Sequence, residues 1–283
     1  MTRYGSRALF RASYCLSLLA CGPAMAAGWS GEYTLGHDTN LGNGRQNGDL
    51  HESGFALSRV QYGRPIPLTA RTALLLQVDA QAQGYLDVIG LSNLRAQVLA
   101  RYLLRPGSGF YVPTLALSGS AAVQAYDSDL RDSHEYRALL YLNQPLTTRL
   151  SLRASAAGTW RRDSDDAVFD TGTTQVGIDF DWNPLAALAI YGGYQWRAGD
   201  LVSVGLPPQA VLDQAAAFAL DDVFEGELAF RQDGDARIAT LGLNYALSPQ
   251  VSLDLQAQHA DAESDFGIHY GRTLTLASLL WRY

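Results

Sequence analysis

The chain has 283 residues, 47% of them hydrophobic, with 28 acidic against 21 basic residues and a formal charge of −7. That balance speaks against nucleic acid as a partner, and the length allows one large domain or two small ones. All the basic residues are arginine, a matter of genome composition to which no function attaches.

Residues 1–26 read as a secretory signal. Arg3, Arg7 and Arg11 give a basic start, residues 15–21 a short apolar stretch, and Ala24-Met-Ala26 a small-x-small cleavage site. The stretch is too short for a spanning helix. A second reading treats Leu18-Leu-Ala-Cys21 as a lipobox with a lipid on Cys21, although leucine is not the usual second residue there. Cleavage after Ala26 removes three arginines and no acid, taking the formal charge from −7 to −10. It also removes both cysteines, which excludes disulfides, thiol catalysis and cysteine metal sites from the mature chain. A chain crossing an oxidising periplasm unfolded gains from having no thiol to mispair.

From residue 27 onward the chain is punctuated by proline. Pro67, Pro106, Pro145 and Pro184 follow one another at intervals of 39 residues, and Pro249 comes 65 later. Proline presets φ for a turn and cannot serve the interior of a ladder, so each marks a strand end. Between the prolines lie longer polar breakers at 42–51, 87–92, 127–133, 163–172, 198–234 and 261–265. Each unit is therefore two strands around a long loop, and six units give twelve strands, five tight turns and six long loops. Propellers and solenoids also repeat, but do not demand strict alternation of long and short connections.

The segments between breakers alternate with period two. In 72–86, Leu74, Leu76 and Val78 share one face and Gln77, Asp79 and Gln81 the other. The same pattern sets Leu94, Val98 and Tyr102 against Arg95, Gln97 and Arg101. The stretch 106–126 carries no charge but is rich in Gly, Ser and Thr, a composition that suits strands better than a helix. Further on, Leu150, Leu152 and Trp160 oppose Arg153; Val176, Ile178 and Trp182 oppose Asp179 and Asp181; Leu253 and Leu255 oppose Asp254. Aromatics gather near strand ends, where amphipathic rings form girdles at lipid–water interfaces. The polar face then lines a lumen, with Arg95, Arg101, Arg137, Arg153, Arg161 and Arg197 facing Asp79, Asp179, Asp181 and Asp254. Such rows either pair or set up a field across the pore.

The breaker at 198–234 is longer than the others. Pro207-Pro208 precedes strong helix formers through Leu220, predicting a helix whose apolar face includes Val211, Leu212 and Phe218. With nothing to cover that face outside, it is expected to pack inside the barrel mouth or over it, as a constriction or lid, the alternative being a small extracellular cap. Residues 227–238 read as a hairpin with Asp233-Gly234 at its turn.

The chain ends on an alternating run in which Ala277, Leu279, Trp281 and Tyr283 share a face. Trp281 and the terminal Tyr283 resemble the signal by which bacterial outer-membrane barrels are recognised for insertion. Leu274, Leu276 and Leu280 fall on the inward face, where a partly apolar lumen or a packed loop would accommodate them. The whole mature chain thus resembles porin-like bacterial outer-membrane β-barrels. The resemblance implies a Gram-negative outer membrane, termini in the periplasm, contact with outer-membrane lipid and lipopolysaccharide, the barrel-assembly machinery as a partner, and small solutes as cargo.

Enzyme signatures are weak. His51-Glu-Ser53 has the spacing of a phospholipase pair without the supporting pattern, and His259, Asp261, Glu263 and Asp265, like His37-Asp38, read as solvated loop clusters. No ligand spacing for a metal and no phosphate-cradling loop is present, so no cofactor is expected. Acids in the long loops, among them Asp129, Asp132, Asp221 and Asp222, would form a rim that attracts cations. The reading is an all-β, transmembrane, antiparallel up-and-down barrel of about twelve strands, with ten or fourteen as alternatives. Its expected function is a channel for small polar or anionic solutes gated by the long loop. The alternatives are a barrel enzyme acting on lipid or polypeptide, and a closed structural or assembly barrel.

Overall fold

The computed structural model describes residues 28–45, 49–163 and 167–283; the signal segment at 1–26 lies outside them. Among the described residues there are thirteen strands: β1 (Gly28–Asp38), β2 (Ser53–Pro67), β3 (Thr72–Tyr85), β4 (Asn93–Leu104), β5 (Thr114–Tyr126), β6 (Ser133–Pro145), β7 (Leu150–Asp163), β8 (Thr171–Leu185), β9 (Leu188–Gly205), β10 (Ala217–Leu220), β11 (Leu228–Ala246), β12 (Val251–Ser264) and β13 (His269–Arg282). All but β10 form the wall. Each wall strand pairs antiparallel with the next, β9 with β11, and β13 returns to β1 from Ser30↔Arg282 to Asp38↔Leu274. The result is a closed barrel of twelve strands.

The turn chemistry explains the proline spacing. Pro67 and Pro145 end β2 and β6, and the Leu-Thr that follows each supplies a hydroxyl acceptor. Thr69 Oγ1 accepts from Arg71 and Thr72 N–H at 3.1 Å; Thr147 Oγ1 accepts from Arg149 at 3.1 Å and Leu150 at 2.9 Å. Ser248 does the same before β12. A side-chain oxygen closing its own turn fixes the register of both strands it joins.

Outward positions carry Val78, Val98, Leu117, Leu140, Ile178 and Leu241, all well exposed, while the intervening inward positions are buried. Fourteen residues of β3 extend about 46 Å at ~3.3 Å per residue, and a tilt of ~45° leaves about 33 Å of height. That is the thickness of a hydrocarbon layer, so the apolar belt is a lipid-facing surface. Trp29, Tyr102, Trp182 and Tyr245 ring it near the short turns, and Tyr136, Trp160 and Trp196 ring it toward the long loops. Of the inward leucines of β13, Leu274 and Leu276 are accommodated by an apolar patch of the lumen wall, where they pack with Phe55, Leu57 and Tyr85.

Two expectations for the long fifth loop are corrected. Helix is confined to one turn, α1 (Gln209–Leu212), and the following residues form β10 instead of extending it. The edge of β11 beyond the end of β12 leaves backbone groups open, and Ala217–Leu220 satisfy them from Ala217↔Arg231 to Leu220↔Leu228. Such a short isolated helix is marginal, so an available ladder outcompetes local propensity. The hairpin expected at 227–238 is likewise absent, since β11 runs unbroken through Asp233 and Gly234. Gly234 pairs with Gly199 on β9 and with Ser264 on β12, and a Cβ there would strike the backbone of Glu263 and Ser264. Glycine is needed at this position for close strand approach, not for a turn.

Inside the wall, Gly242 leaves room for the ring of Tyr191, whose hydroxyl donates to Asp254 at 2.9 Å. Gly242→Val should displace that ring and cost about 1–3 kcal/mol. The loss is read as a lower temperature at which the compact band disappears in unheated-sample electrophoresis. Gly84→Ala, where an added Cβ meets nothing within 4 Å, should leave that temperature unchanged.

Candidate functional site

The lumen wall is built by the inward alternation of the strands. Asp79, Arg95, Arg101, Arg153, Asp179 and Asp254 are buried there, and Arg137 and Asp181 are partly buried on the same inward set. Their charges are matched largely along the wall rather than across the pore. Arg59 pairs with Asp79 at 2.9 Å, Arg95 with Glu135 at 2.8 Å, and Arg153 with Asp181 at 3.6 Å. Asp254 accepts from Tyr191 at 2.9 Å and from Asn244 at 3.3 Å. Adjacent strands (β2 with β3, β7 with β8) or strands one apart (β4 with β6) bring opposite charges within 4 Å, and in a low dielectric a short pair wins over a long one. Toward the short turns, Tyr141 lies between two guanidiniums, with Arg101 5.8 Å and Arg153 5.4 Å from its ring centroid. Each such contact is worth roughly 0.5–2 kcal/mol depending on desolvation, and together they hold both arginines against the wall.

The long-loop end is covered. At the level of Gly199, β8 ends, and at Gly234, β12 ends. Above that level β9 and β11 continue as a two-stranded extension, from Asp200↔Asp233 to Gly205↔Leu228. Gly199 has φ 122, a conformation that side chains rarely adopt. The extension reaches the loop between β1 and β2: Val204 N–H donates to Gly42 O at 2.7 Å, and Asn43 Nδ2 donates to Val202 O at 2.8 Å. Since β1 and β9 are separated by β11, β12 and β13 around the wall, these bonds carry the extension over the mouth.

Beneath and around it the loops form an apolar cluster. Leu41, Val168, Phe169, Val204, Phe224 and Ala229 are buried together, flanked by Val88, Leu91, Leu130 and Val223. Polar contacts fasten the cluster at its edges. Arg131 donates to Asp221 at 2.5 Å and to Asp222 at 2.8 Å, and Ser128 donates to Asp222 at 2.7 Å. Asp221 Oδ1 accepts from the N–H groups of Val223 and Phe224 at 2.8 and 2.9 Å. His51 stacks on Phe224 at 4.3 Å and bonds Glu227 at 2.7 Å. Asp221 and Asp222, expected as part of a free acidic rim, thus fasten the cap, and Asp132 accepts the backbone N–H of Tyr126 at 2.7 Å.

Below this cover lies a cavity of about 120 Å³. Leu41, Phe169, Val204 and Phe224 roof it, and its wall includes Gln83, Asn93, Gln124, Thr173, Gln175 and five arginines, with Asp200 the carboxylate among its lining residues. Larger hollows of about 650 and 660 Å³ open on the outward face between small residues such as Ala82, Ala96 and Ala257. Acyl chains fill such grooves, so the chemistry belongs to the smaller inner cavity.

Of the residues expected to form a gate, Val211 and Leu212 are half-buried on α1, and Phe218 is 54% exposed on β10. The apolar contribution of this loop to the cap comes from Phe224 and Val223, with Ala217 and Ala219 of β10, which lie within the segment predicted as helix. The candidate catalytic pair is separated by its hydrogen bonds: His51 engages Glu227, whereas Ser53 donates to Gly54 O at 2.9 Å and Asp87 at 3.1 Å. His37 and Asp38 likewise part, Asp38 binding Arg272 inside while His37 lies 3.9 Å from Glu52. His269 stands 3.1 Å from Glu263, and His259 bonds Thr273.

Sequence reasoning missed Tyr141, Arg131, Phe169, Phe224 and Arg272. Inward parity would have flagged Tyr141 and Arg272, because both fall on the polar face of their strands. Arg131, Phe169 and Phe224 sit in loops, and only tertiary contact reveals them.

No protein-family model matches the chain, and no curated protein matches it by sequence. Solved structures do share the fold. The COG4313 outer membrane channel from Pseudomonas putida F1 superposes with a TM-score of 0.62 at 10% identity, over 92% of this chain and 97% of that one. The NanC porin superposes with a TM-score of 0.50 at 8% identity, over 90% of this chain and 99% of that one. The chain therefore has the fold of these barrels.

Replacing Arg131 with alanine removes the ion pairs of both Asp221 and Asp222 and leaves Asp221 buried without its cation, a loss of about 3–5 kcal/mol when a buried pair is broken. The expected outcome is cleavage by added protease within residues 206–227, where the parent chain resists it. The barrel's mobility in unheated electrophoresis should be unchanged.

Proposed function

We propose that this chain is an outer-membrane channel for small polar or anionic solutes, held closed at its outer end by the β9–β11 extension and the loops packed against it. The observation that carries the reading is the contrast between the two barriers in the lumen. The wall is a continuous ladder lined by charged and amide side chains, which suits the passage of polar solutes. The mouth is closed by loop residues whose contacts are side-chain pairs and a small apolar cluster. Those contacts can open without breaking the wall. The likeness in fold to an outer membrane channel and to a porin supports the same reading.

In this reading residues 1–26 direct export, and both ends of the mature chain lie in the periplasm with the short turns. The long loops then face outward, among lipopolysaccharide. Trp281 and Tyr283 lie at the end of β13; Tyr283 is 87% exposed and its N–H donates to Trp29 O at 2.9 Å, so the terminal ring is presented to the bilayer or to the assembly machinery. The gate is Val223, Phe224 and the extension, with Val211, Leu212 and Phe218 as its outer rim.

The test is single-channel recording of the refolded mature protein in a planar bilayer, beside a form in which residues 206–227 are replaced by a short turn. Small or infrequent steps are expected from the parent, and steps several-fold larger from the shortened form. Silence from both, with both shown to be folded, would overturn the channel reading and favour a closed structural barrel.

A further inference from the structure

The cavity beneath the cap is strongly and unevenly charged. Arginines reach it from the loop between β5 and β6, from β6, β7 and β9, and from β13. Two of them are already committed to acids: Arg131 to Asp221 and Asp222, and Arg272 to Asp38. The other three, Arg137, Arg161 and Arg197, form no ion pair with any carboxylate among the described residues. Arg161 is tied to neutral acceptors, Ser133 Oγ at 2.9 Å and Arg131 O at 2.6 Å. Glu135, on the strand of Arg137, pairs through Oε1 with Arg95 at 2.8 Å and acts on Arg137 and Arg197 only as a more distant opposite charge. Against it, Arg137 feels Arg197 and Arg95 as like charges. Asp200, the remaining acid, accepts Gly172 N–H at 2.6 Å and faces Arg231 at 3.8 Å.

Cations gathered in a confined, partly desolvated space repel one another, and they stay there at a cost unless an anion joins them. Here the amide and hydroxyl groups of Gln83, Asn93, Gln124, Gln175 and Thr173 surround the cations. Guanidinium forks match the two oxygens of a carboxylate or phosphate group, and the amides can bind hydroxyls beside it. Size narrows the choice further. At about 120 Å³ the cavity is small beside the outward grooves, which favours a compact anion such as a short organic acid or a phosphate group.

We propose that this cavity is a binding site for a compact oxyanion, a small solute bearing carboxylate or phosphate, held by Arg137 and Arg197 with Arg161 beside them. Its role as a selectivity station rests on the channel reading above, while the site itself does not. In an open conformation the same cations would attract anions to the constriction and set the channel's preference.

The experiment uses the full mature chain, refolded in detergent at low ionic strength. Titration calorimetry measures binding of succinate, suberate and inorganic phosphate, with chloride as reference. Succinate or phosphate should bind saturably and more tightly than chloride, and suberate more weakly than succinate because it outgrows the cavity. Whichever of succinate and phosphate binds more tightly identifies the natural head group. Arg137→Gln and Arg197→Gln should each weaken that binding about ten-fold or more. Arg237→Gln, at an exposed outward position of β11, should leave it unchanged. Heats no different from chloride, or the same affinity in all three variants, would overturn the site. Loss of folding in either inward variant is checked by electrophoretic mobility, and Arg197→Lys, which keeps the charge without the fork, then serves in its place with partial weakening expected. Saturable succinate binding by a protein that never conducts would leave the site standing and remove the channel. Conductance without anion preference or binding would do the reverse.

Discussion

Hydrocarbon offers no hydrogen bonds, so every N–H and C=O that crosses it must find a partner within the protein. For a chain of short, alternating segments the closed ladder is the way to satisfy that demand, and the pairing of β13 with β1 completes it. Much else follows from closure. Period-two alternation sends Val78 outward and Asp79 inward from adjacent residues, so a lipid-facing belt comes with a polar lumen. Twelve strands enclose a lumen between one that side chains fill and a wide aqueous pore. In that intermediate space charged side chains keep their place by pairing with neighbours along the wall.

The same constraint explains where regular pairing stops. Beyond the rim, β9 and β11 have lost the neighbours that flank them lower down, and their outer edges need other partners. One edge is met by loop 39–45 through Val204 and Asn43, the other by β10. An exposed two-stranded ribbon would be a marginal structure and an invitation to edge pairing. Laid over the mouth, it becomes part of a buried cluster in which Phe169 stacks under the guanidinium of Arg131 at 4.8 Å and Phe224 against His51.

The barrel was legible in the sequence because turn chemistry and face alternation are local signals. Pro67-Leu-Thr and Pro145-Leu-Thr announce turns that close through their own hydroxyls, and alternation assigned Asp79, Arg95 and Arg153 to the inside. The cap was hidden for a physical reason. Arg131 and Asp222 are 91 residues apart and belong to different loops, and no periodicity links them. Asp233-Gly234 misled in the other direction. A pair that usually turns a hairpin here sits inside a strand, because close packing against the backbone of Glu263 and Ser264 requires a residue without a side chain. Helix formers at 213–220 were overruled likewise, by an open edge that needed a partner.

Closure at the loops rather than in the wall has an energetic logic. Opening the wall anywhere would strip hydrogen bonds from two strands at once and expose them to lipid, at several kcal/mol for each unsatisfied group. The cap instead relies on a few ion pairs, a stacked histidine and a cluster of about half a dozen buried apolar residues, all next to water that can replace the polar contacts. Such a region belongs to the low-stability end of a protein's opening spectrum, while the ladder below belongs to the high end. The two glycines facing each other at the rim, Gly199 and Gly234, mark the boundary between these regimes. Movement of the extension about that boundary would expose the basic cavity to the outside without disturbing one wall hydrogen bond. Stability in this fold thus resides in the wall, and the loops above it are the part that can move.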